Sequence, residues 1–489
     1  MSEKRKLPLS LMYEPDTYLC SWLIPDDADG YVEVPGNLVL RPLLQPMGRV
    51  YGNVPLKQTE HFPGVVGMDF PQFINVSVLY GRLDNGGTVT LLDARIELWD
   101  RVGRVTGAAA LLNKAAFFGF PEVPAPGRDA DPPLVTSATF QITALDSALG
   151  VSPIKNVSNP HAPGGEEGRW AATVNESAVG KWSTDDAQLT VSYHQLMRAL
   201  DPFEFNLAFS PVAKVTLTQP KSFENVVDQY VEPLRKILSI ATGKSQELSY
   251  LHVELEGREG KYQVVGSGIT QDPFASSTAA ARAHKSAVRA LPDDLSLLEL
   301  VMRWSQYAAA HHPLVETYGT MLHARDQHPR SRFLLLIQAL EGLYGYENKA
   351  TAAERQIKHT ASYEEALARA KEDLDAKTFQ FVKKYLSKKR PESLDKALDA
   401  LVMGLPVNVM DRLSATELVK EVQAASTTVS LTTAGALRTV RNDLAHGNRG
   451  YDFYLLQKVV EILEFIVRGH ALRILGCPEV VVSRVFLTD

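Results

Sequence analysis

The chain has 489 residues, 45% hydrophobic and 22% charged, with a formal net charge of −6. That length is too great for a single hydrophobic core, so two or three domains are expected, and the composition is that of a soluble globular protein. The mild acidity excludes a global pull toward nucleic acid, so any such binding must rest on a local patch.

The first 220 or so residues read as strands. YVEVPGNLVLR (31–41), INVSVLYGRL (74–83), GTVTLLDARIELW (87–99), LVTSATFQIT (134–143) and FEFNLAFSPVAKVTLT (203–218) are rich in β-branched and aromatic residues. Each is bounded by Gly, Pro, Asn or Asp. DNGG at 84–87 lies between two of them and reads as a hairpin turn. The Pro-rich stretches 118–133 and 152–169 read as loops. The period then changes. SFENVVDQYVEPLRKILSIATG (222–243) has apolar residues at helical spacing and a closing glycine, with Pro233 placed to kink it. SYLHVELE, GREG and KYQVVGSG form a short hairpin, and 272–286 is an Ala- and Ser-rich linker or loose helix.

From about Leu295 the strand pattern nearly vanishes. Segments such as SRFLLLIQALEGLYGY, SYEEALARAKEDLDAKTFQFVKKYL, SLDKALDALVMGL, SATELVKEVQAA, TTAGALRTVRNDLAH and FYLLQKVVEILEFIVRGHALRIL repeat apolar residues every three or four positions. The expected fold class is therefore α+β multidomain: a β-rich domain over 1–285 and an all-helical domain over 286–489. MSEKRKLPLS has no apolar run behind its basic residues and is not read as a signal peptide. The longest apolar runs, such as FLLLI at 333–337, fall far short of a membrane span. Cys20 and Cys477 offer neither a disulfide framework nor a zinc spacing, and a cytoplasmic setting without membrane contact is expected.

One stretch raises a chemical question. In ALRTVRNDLAHGNRGYD (436–452) Arg441 and His446 stand five apart. With 12 histidines and about twice as many arginines, the composition supplies about one such pair by chance, so spacing alone favours an ordinary helix end. Leu437, Val440 and Leu444 would form the buried stripe, with Arg441 on its edge. Asn442 and His446 are four apart, so their side chains can meet on the exposed flank. Gly447 suits the residue that ends a helix. Arg441 and His446 differ by about 140° around a regular helix, so one copy does not readily aim both at one phosphate, whereas two copies across a two-fold axis could.

RNDLAHG between the last two long helices resembles the HEPN nuclease motif, matching it at Arg441, Asn442 and His446. HPRSRFLLLIQALEGLYGY (328–346), followed by a basic helical middle and the motif helices, resembles the HEPN domain of the ApeA family of bacterial anti-phage proteins. The β-rich half with its late helix resembles that family's N-terminal domain. The resemblance implies a metal-independent endoribonuclease with no cofactor, working as a homodimer through the HEPN domain in abortive infection. It further implies a β-rich half that regulates activity, with a phage-derived trigger as its partner. RNA cleavage at a 2′-hydroxyl needs proton transfer and stabilisation of a dianionic phosphorane. Proton transfer falls to His446 and the phosphate to Arg441, with Asn442 orienting the imidazole. Asp443 either takes part in the site or is a surface residue only. Glu341, inside an apolar helix, either braces the site or forms a structural ion pair.

KTFQFVKKYLSKKRPE (377–392) concentrates positive charge. Lys383, Lys384, Lys388, Lys389 and Arg390 could line an RNA path with Tyr385 stacking on a base, or could form a solvated helix end. Arg438 and Arg449 flank the motif as phosphate contacts. HHP at 311–313 reads as a helix end, and GSGITQ (266–271) lacks the Lys and the spacing of a phosphate loop. The competing function is a non-catalytic protein whose helical part dimerises and whose β half binds a ligand or partner.

Overall fold

The structure is a computed structural model that describes residues 7–487 except 26–29, 53, 55–57, 64, 69–71, 100–101, 115–130, 159–170, 202–203, 323–326, 390–392 and 427–429. It divides into two compact units: residues 1–238 with 246–302, and residues 239–245 with 303–489. The first carries the strands and the second is helical, so the α+β reading holds.

The β-rich unit is built on a closed barrel. Thr88–Trp99, Phe73–Leu83, Thr17–Pro25, Tyr31–Val39, Met47–Tyr51 and Val102–Thr106 pair antiparallel in that order, and the last returns to the first. Closure removes the free edges that an open sheet must protect. The Thr88–Trp99 strand is shared. Its second half, Arg95–Trp99, closes the barrel, while Thr88–Leu92 pairs with Ala109–Asn113. Asp93, at the fork, adopts a left-handed φ of 48°, a conformation that Asp tolerates better than most side chains. From Ala109–Asn113 the sheet continues through Tyr262–Gly266, Leu248–Leu255, Val135–Ile142, Glu204–Lys221 and Ala187–Asp201 to Gly180–Ser183.

The barrel core packs around Trp22, which is fully buried and donates its indole N–H to the Arg49 carbonyl at 3.1 Å. Two glycines make room for it. A Cβ on Gly36 would lie 2.7 Å from Trp22 Nε1 and 2.1 Å from the Arg49 oxygen, and one on Gly81 would lie 3.0 Å from the ring. The Thr17–Pro25 strand that carries Trp22 was not among the strands read from sequence.

Several local readings hold. Leu83 donates to the Gly87 carbonyl across the DNGG turn, with Gly86 at φ 82°. The 248–255 and 262–266 strands form the expected hairpin. Ser222 caps the helix that follows, and one π-turn, Val227–Val231, precedes Pro233. A wider turn there takes up the missing N–H and bulk of the proline without breaking the helix, which runs on to Thr242. Of the 152–169 stretch, residues 159–169 lie outside the described residues, and the described part differs from expectation. Ile154–Ser158 is a strand paired with Ala171–Val174, because β-branched Ile154 and Val157 lie between the prolines that dominated the reading. Most of the 118–133 stretch lies outside the described residues. The loose helix expected in 272–286 is the single short helix Thr278–Ala283.

In the helical unit, Phe453–Ile474 and Pro313–Met321 both pack on Pro329–Glu347 and touch each other as well. Phe333, Leu336, Ile337, Leu340 and Leu343 supply the buried stripe of Pro329–Glu347 at helical spacing. A polar cluster joins these helices. Glu464 accepts from Tyr318 and pairs with Arg332 at 2.7 Å, and burial followed by the Glu464 charge pushes the phenol of Tyr318 far up. Two long periodic segments prove to be broken. Asp375 caps a new helix, Ala376–Tyr385, after Lys349–Asp373, and Thr416 separates Met410–Ala415 from Glu417–Ala425. The Asp375 side chain accepts from the N–H groups of Lys377 and Thr378, while the Thr416 hydroxyl donates back to the Leu413 carbonyl, local bonds that apolar periodicity alone does not register. His312 begins the Pro313–Met321 helix, as the HHP reading expected.

Candidate functional site at the end of the motif helix

The RNDLAHG segment closes the helix Thr433–His446. Thr432 caps its start by accepting from the Gly435 N–H at 3.1 Å, and Gly447 ends it at a left-handed φ of 71°. Glycine adopts that conformation without steric penalty. Leu437, Val440 and Leu444 are buried, as the spacing required. The helix packs through this stripe against Pro329–Glu347, Leu394–Met403 and Glu417–Ala425.

The stripe leaves the polar residues on the flanks. Arg441 is 36% exposed and faces Pro329–Glu347, where Glu341 Oε2 accepts from its Nη2 at 3.4 Å. Its Nη1 donates to Asn442 Oδ1 at 3.2 Å. The guanidinium is therefore held on two sides while part of it stays open to water. His446 is exposed and has no hydrogen-bond partner among the described residues. The Asn442 amide oxygen lies with Arg441, and no bond joins that residue to His446. Glu341, flagged in the sequence only as a carboxylate inside an apolar helix, is thus brought to the motif arginine.

Asp443 has a larger part than a surface residue. Tyr451 donates to its Oδ2 at 2.5 Å, and the backbone N–H groups of Gly447 and Asn448 both reach its carbonyl oxygen. This ties the 447–452 loop back onto the helix end. Burial, then the hydrogen bond and charge of Asp443, push the Tyr451 phenol up. Arg449 is exposed and lies over the Tyr451 ring, 5.0 Å from its centroid. Asp452 then caps Phe453–Ile474 by accepting from the N–H groups of Tyr454 and Leu455.

Sequence reading missed two neighbours. Arg330 donates to the Leu444 carbonyl at 2.5 Å, satisfying an oxygen that the helix end leaves unpaired. His328 packs edge-on against Phe453 at 5.4 Å. No sequence signal connects Arg330 with Leu444, which lie 114 positions apart.

Arg438 is engaged by Asp395 at 2.8 Å. Lys383 and Lys384 close the helix Ala376–Tyr385, and Lys388 follows it; this helix packs on Lys349–Asp373. Arg390 lies outside the described residues. Among the described residues there is no group of three or more His, Cys, Asp and Glu that could hold a metal ion, and no helix long and apolar enough to cross a membrane.

Neither the curated proteins nor the solved structures contain a match to this chain. A family model does match: ApeA N-terminal domain 1 covers residues 21–286, a span that takes in the barrel, the sheet that extends from it and the Phe223–Thr242 helix, and with more than half its length matched the chain belongs to that family.

Proposed function

We propose that the protein is a HEPN-type endoribonuclease of anti-phage defence, cutting RNA through Arg441 and His446 without a metal ion. The observation that carries this is the divided state of the motif helix's end. A guanidinium is held by Glu341 and Asn442, and an imidazole five residues later is left exposed without a partner. Neither is needed by the apolar stripe. Membership of the ApeA family supports the setting in anti-phage defence.

In this reading the RNA's own 2′-hydroxyl attacks the adjacent phosphorus and the 5′-oxygen departs. His446 moves a proton in one of these steps, as an imidazole can near neutral pH. Arg441 gathers the charge that builds on the non-bridging oxygens. Asn442 acts on the guanidinium it accepts from. Because Arg441 and His446 diverge around one helix, two copies related by a two-fold axis complete the site, with the β-rich unit as the regulator that answers a phage-derived trigger.

The test is expression of the wild-type chain beside Arg441→Ala and His446→Ala, with growth and RNA integrity followed together. Each variant should relieve toxicity and leave RNA intact while keeping the wild-type circular dichroism spectrum. A mixture of the two variants should recover part of the activity, since one pocket of the mixed dimer regains both groups. If folded variants behave as the wild type does, the non-catalytic reading, a helical dimerisation module with a β-rich binding domain, takes its place.

A further inference from the structure

We propose that the helical hairpin of Lys349–Asp373 and Ala376–Tyr385 is an arm that captures single-stranded RNA on Phe381, Tyr385 and the lysines beside them. This extends the ribonuclease reading by naming its substrate class, and its test reads binding, which is separable from cleavage.

The hairpin is built unlike the rest of the helical unit. Neither its 25-residue helix nor its 10-residue helix contains a buried residue, whereas the motif helix and the long helices Pro329–Glu347 and Phe453–Ile474 each bury a full stripe. In the shorter helix Phe379 and Val382 are the half-buried positions. Phe381 is 61% exposed and Tyr385 is 65% exposed. At 3.6 residues per turn, Lys377, Phe381, Lys384 and Tyr385 share an arc of about 100°. The two rings stand 4.6 Å apart, and Lys384 Nζ lies 5.4 Å from the Tyr385 centroid.

The segment after the helix is fixed beside this face. Gln356 Nε2 donates to the Lys388 carbonyl at 3.0 Å, and His359 Nε2 contacts the Ser387 carbonyl at 3.0 Å. Residues 376–389 hold five lysines and no acidic residue, in a chain whose net charge is −6. Solvent-facing rings interleaved with lysines match the two chemistries of a single strand: base faces that stack and phosphates that pair with ammonium groups. A duplex hides its base faces and offers only the phosphates. A second copy of the same surface would bring five lysines against five, so like-charge repulsion argues against the arm as a self-association face.

The experiment uses the full chain and a short fluorescent oligoribonucleotide that is 2′-O-methylated throughout, so that 2′-hydroxyl attack is blocked. Anisotropy compares the wild type with Phe381→Ala/Tyr385→Ala. The single strand should bind at least about tenfold more weakly to the double variant, given what base–aromatic stacking contributes. A duplex of the same sequence should bind both proteins alike. Phe381→Trp/Tyr385→Trp should retain the affinity, which separates stacking from a folding defect. Lys383→Gln/Lys384→Gln should reduce the slope of log affinity against log salt by about 0.7 for each phosphate contact removed. Unchanged affinity in the alanine variant overturns the proposal, as does a wild type that binds no single strand. So does a loss of dimer mass with RNA affinity intact, which would make the face a self-association surface. Cleavage of unmodified RNA, followed alongside, reports on the ribonuclease reading by itself.

Discussion

The barrel around Trp22 and the last turn of the motif helix treat their polar groups in opposite ways. In the barrel the Trp22 indole N–H is sealed against a carbonyl, and glycines on adjoining strands leave room for the ring. At the motif helix the imidazole of His446 stands in water and Arg441 is only loosely paired at 3.4 Å. The first arrangement spends side chains on packing, and the second leaves them available to a ligand. A residue whose loss the fold survives is the kind that chemistry can use.

The sharpest way to break that contrast is to truncate both regions. Trp22→Ala should destabilise the β-rich unit by about 3–5 kcal/mol, the range for large buried aromatics. His446→Ala should change stability by less than ~0.5 kcal/mol, as surface substitutions do. Denaturant unfolding of both variants measures the difference, and an equal loss would mean that His446 is structural.

Acid probes the buried side of the comparison in each unit. His252 is lowered to about 4 by burial and then by Lys261, and His470 to about 4 by burial and then by Arg473. His470 is held neutral between the Leu401 carbonyl and the Arg473 guanidinium, with 3.0 Å and 3.1 Å contacts. A folded-state pKa below the unfolded value near 6.5 gives stability that is present above that value and is lost as the pH falls from there toward 4. Each group should contribute a loss of up to ~3 kcal/mol. Melting curves across that window should fall steadily, and His252→Gln/His470→Gln should flatten the decline. A wild-type profile flat from pH 6.5 to 4 would contradict the assignment.

Glu341 sharpens the exposed side. Its pairing with Arg441 is half open to solvent, so Glu341→Gln should change stability by no more than ~1 kcal/mol. If the carboxylate positions the guanidinium, kcat should drop about tenfold with little change in KM, because the interaction matters most as charge builds on phosphorus. A rise in KM alone would assign Glu341 to substrate binding. A local effect is expected of Tyr451→Phe, which removes the hydrogen bond to Asp443 at about 1 kcal/mol or less. Faster amide exchange confined to the 447–452 loop would show it.

How much of this was legible in the sequence follows from the range of the interactions involved. The motif helix's stripe and its Gly447 stop are set by residues within two turns, and the spacing of Leu437, Val440 and Leu444 exposes them. The DNGG hairpin is equally local. Barrel closure is not: it depends on Thr88–Trp99 dividing its two halves between different partners, and on Trp22 meeting glycines from other strands. At the site, Arg441 and His446 could be named from the motif, and Glu341 could be suspected as a charge in an apolar helix. That Asn442 turns toward its neighbour Arg441 is a side-chain choice that no spacing announces, and the same holds for Asp443 holding Tyr451 and for Arg330 reaching Leu444 across 114 positions.

In the proposed reaction the nucleophile comes from the RNA, and Arg441 and His446 supply the rest. Analysis of the ends left by the purified protein tests it most directly. Cleavage should leave a 2′,3′-cyclic phosphate and a 5′-hydroxyl, continue in EDTA, and stop when the cut position carries a 2′-deoxyribose. A magnesium-dependent reaction that leaves 5′-phosphate ends would contradict it.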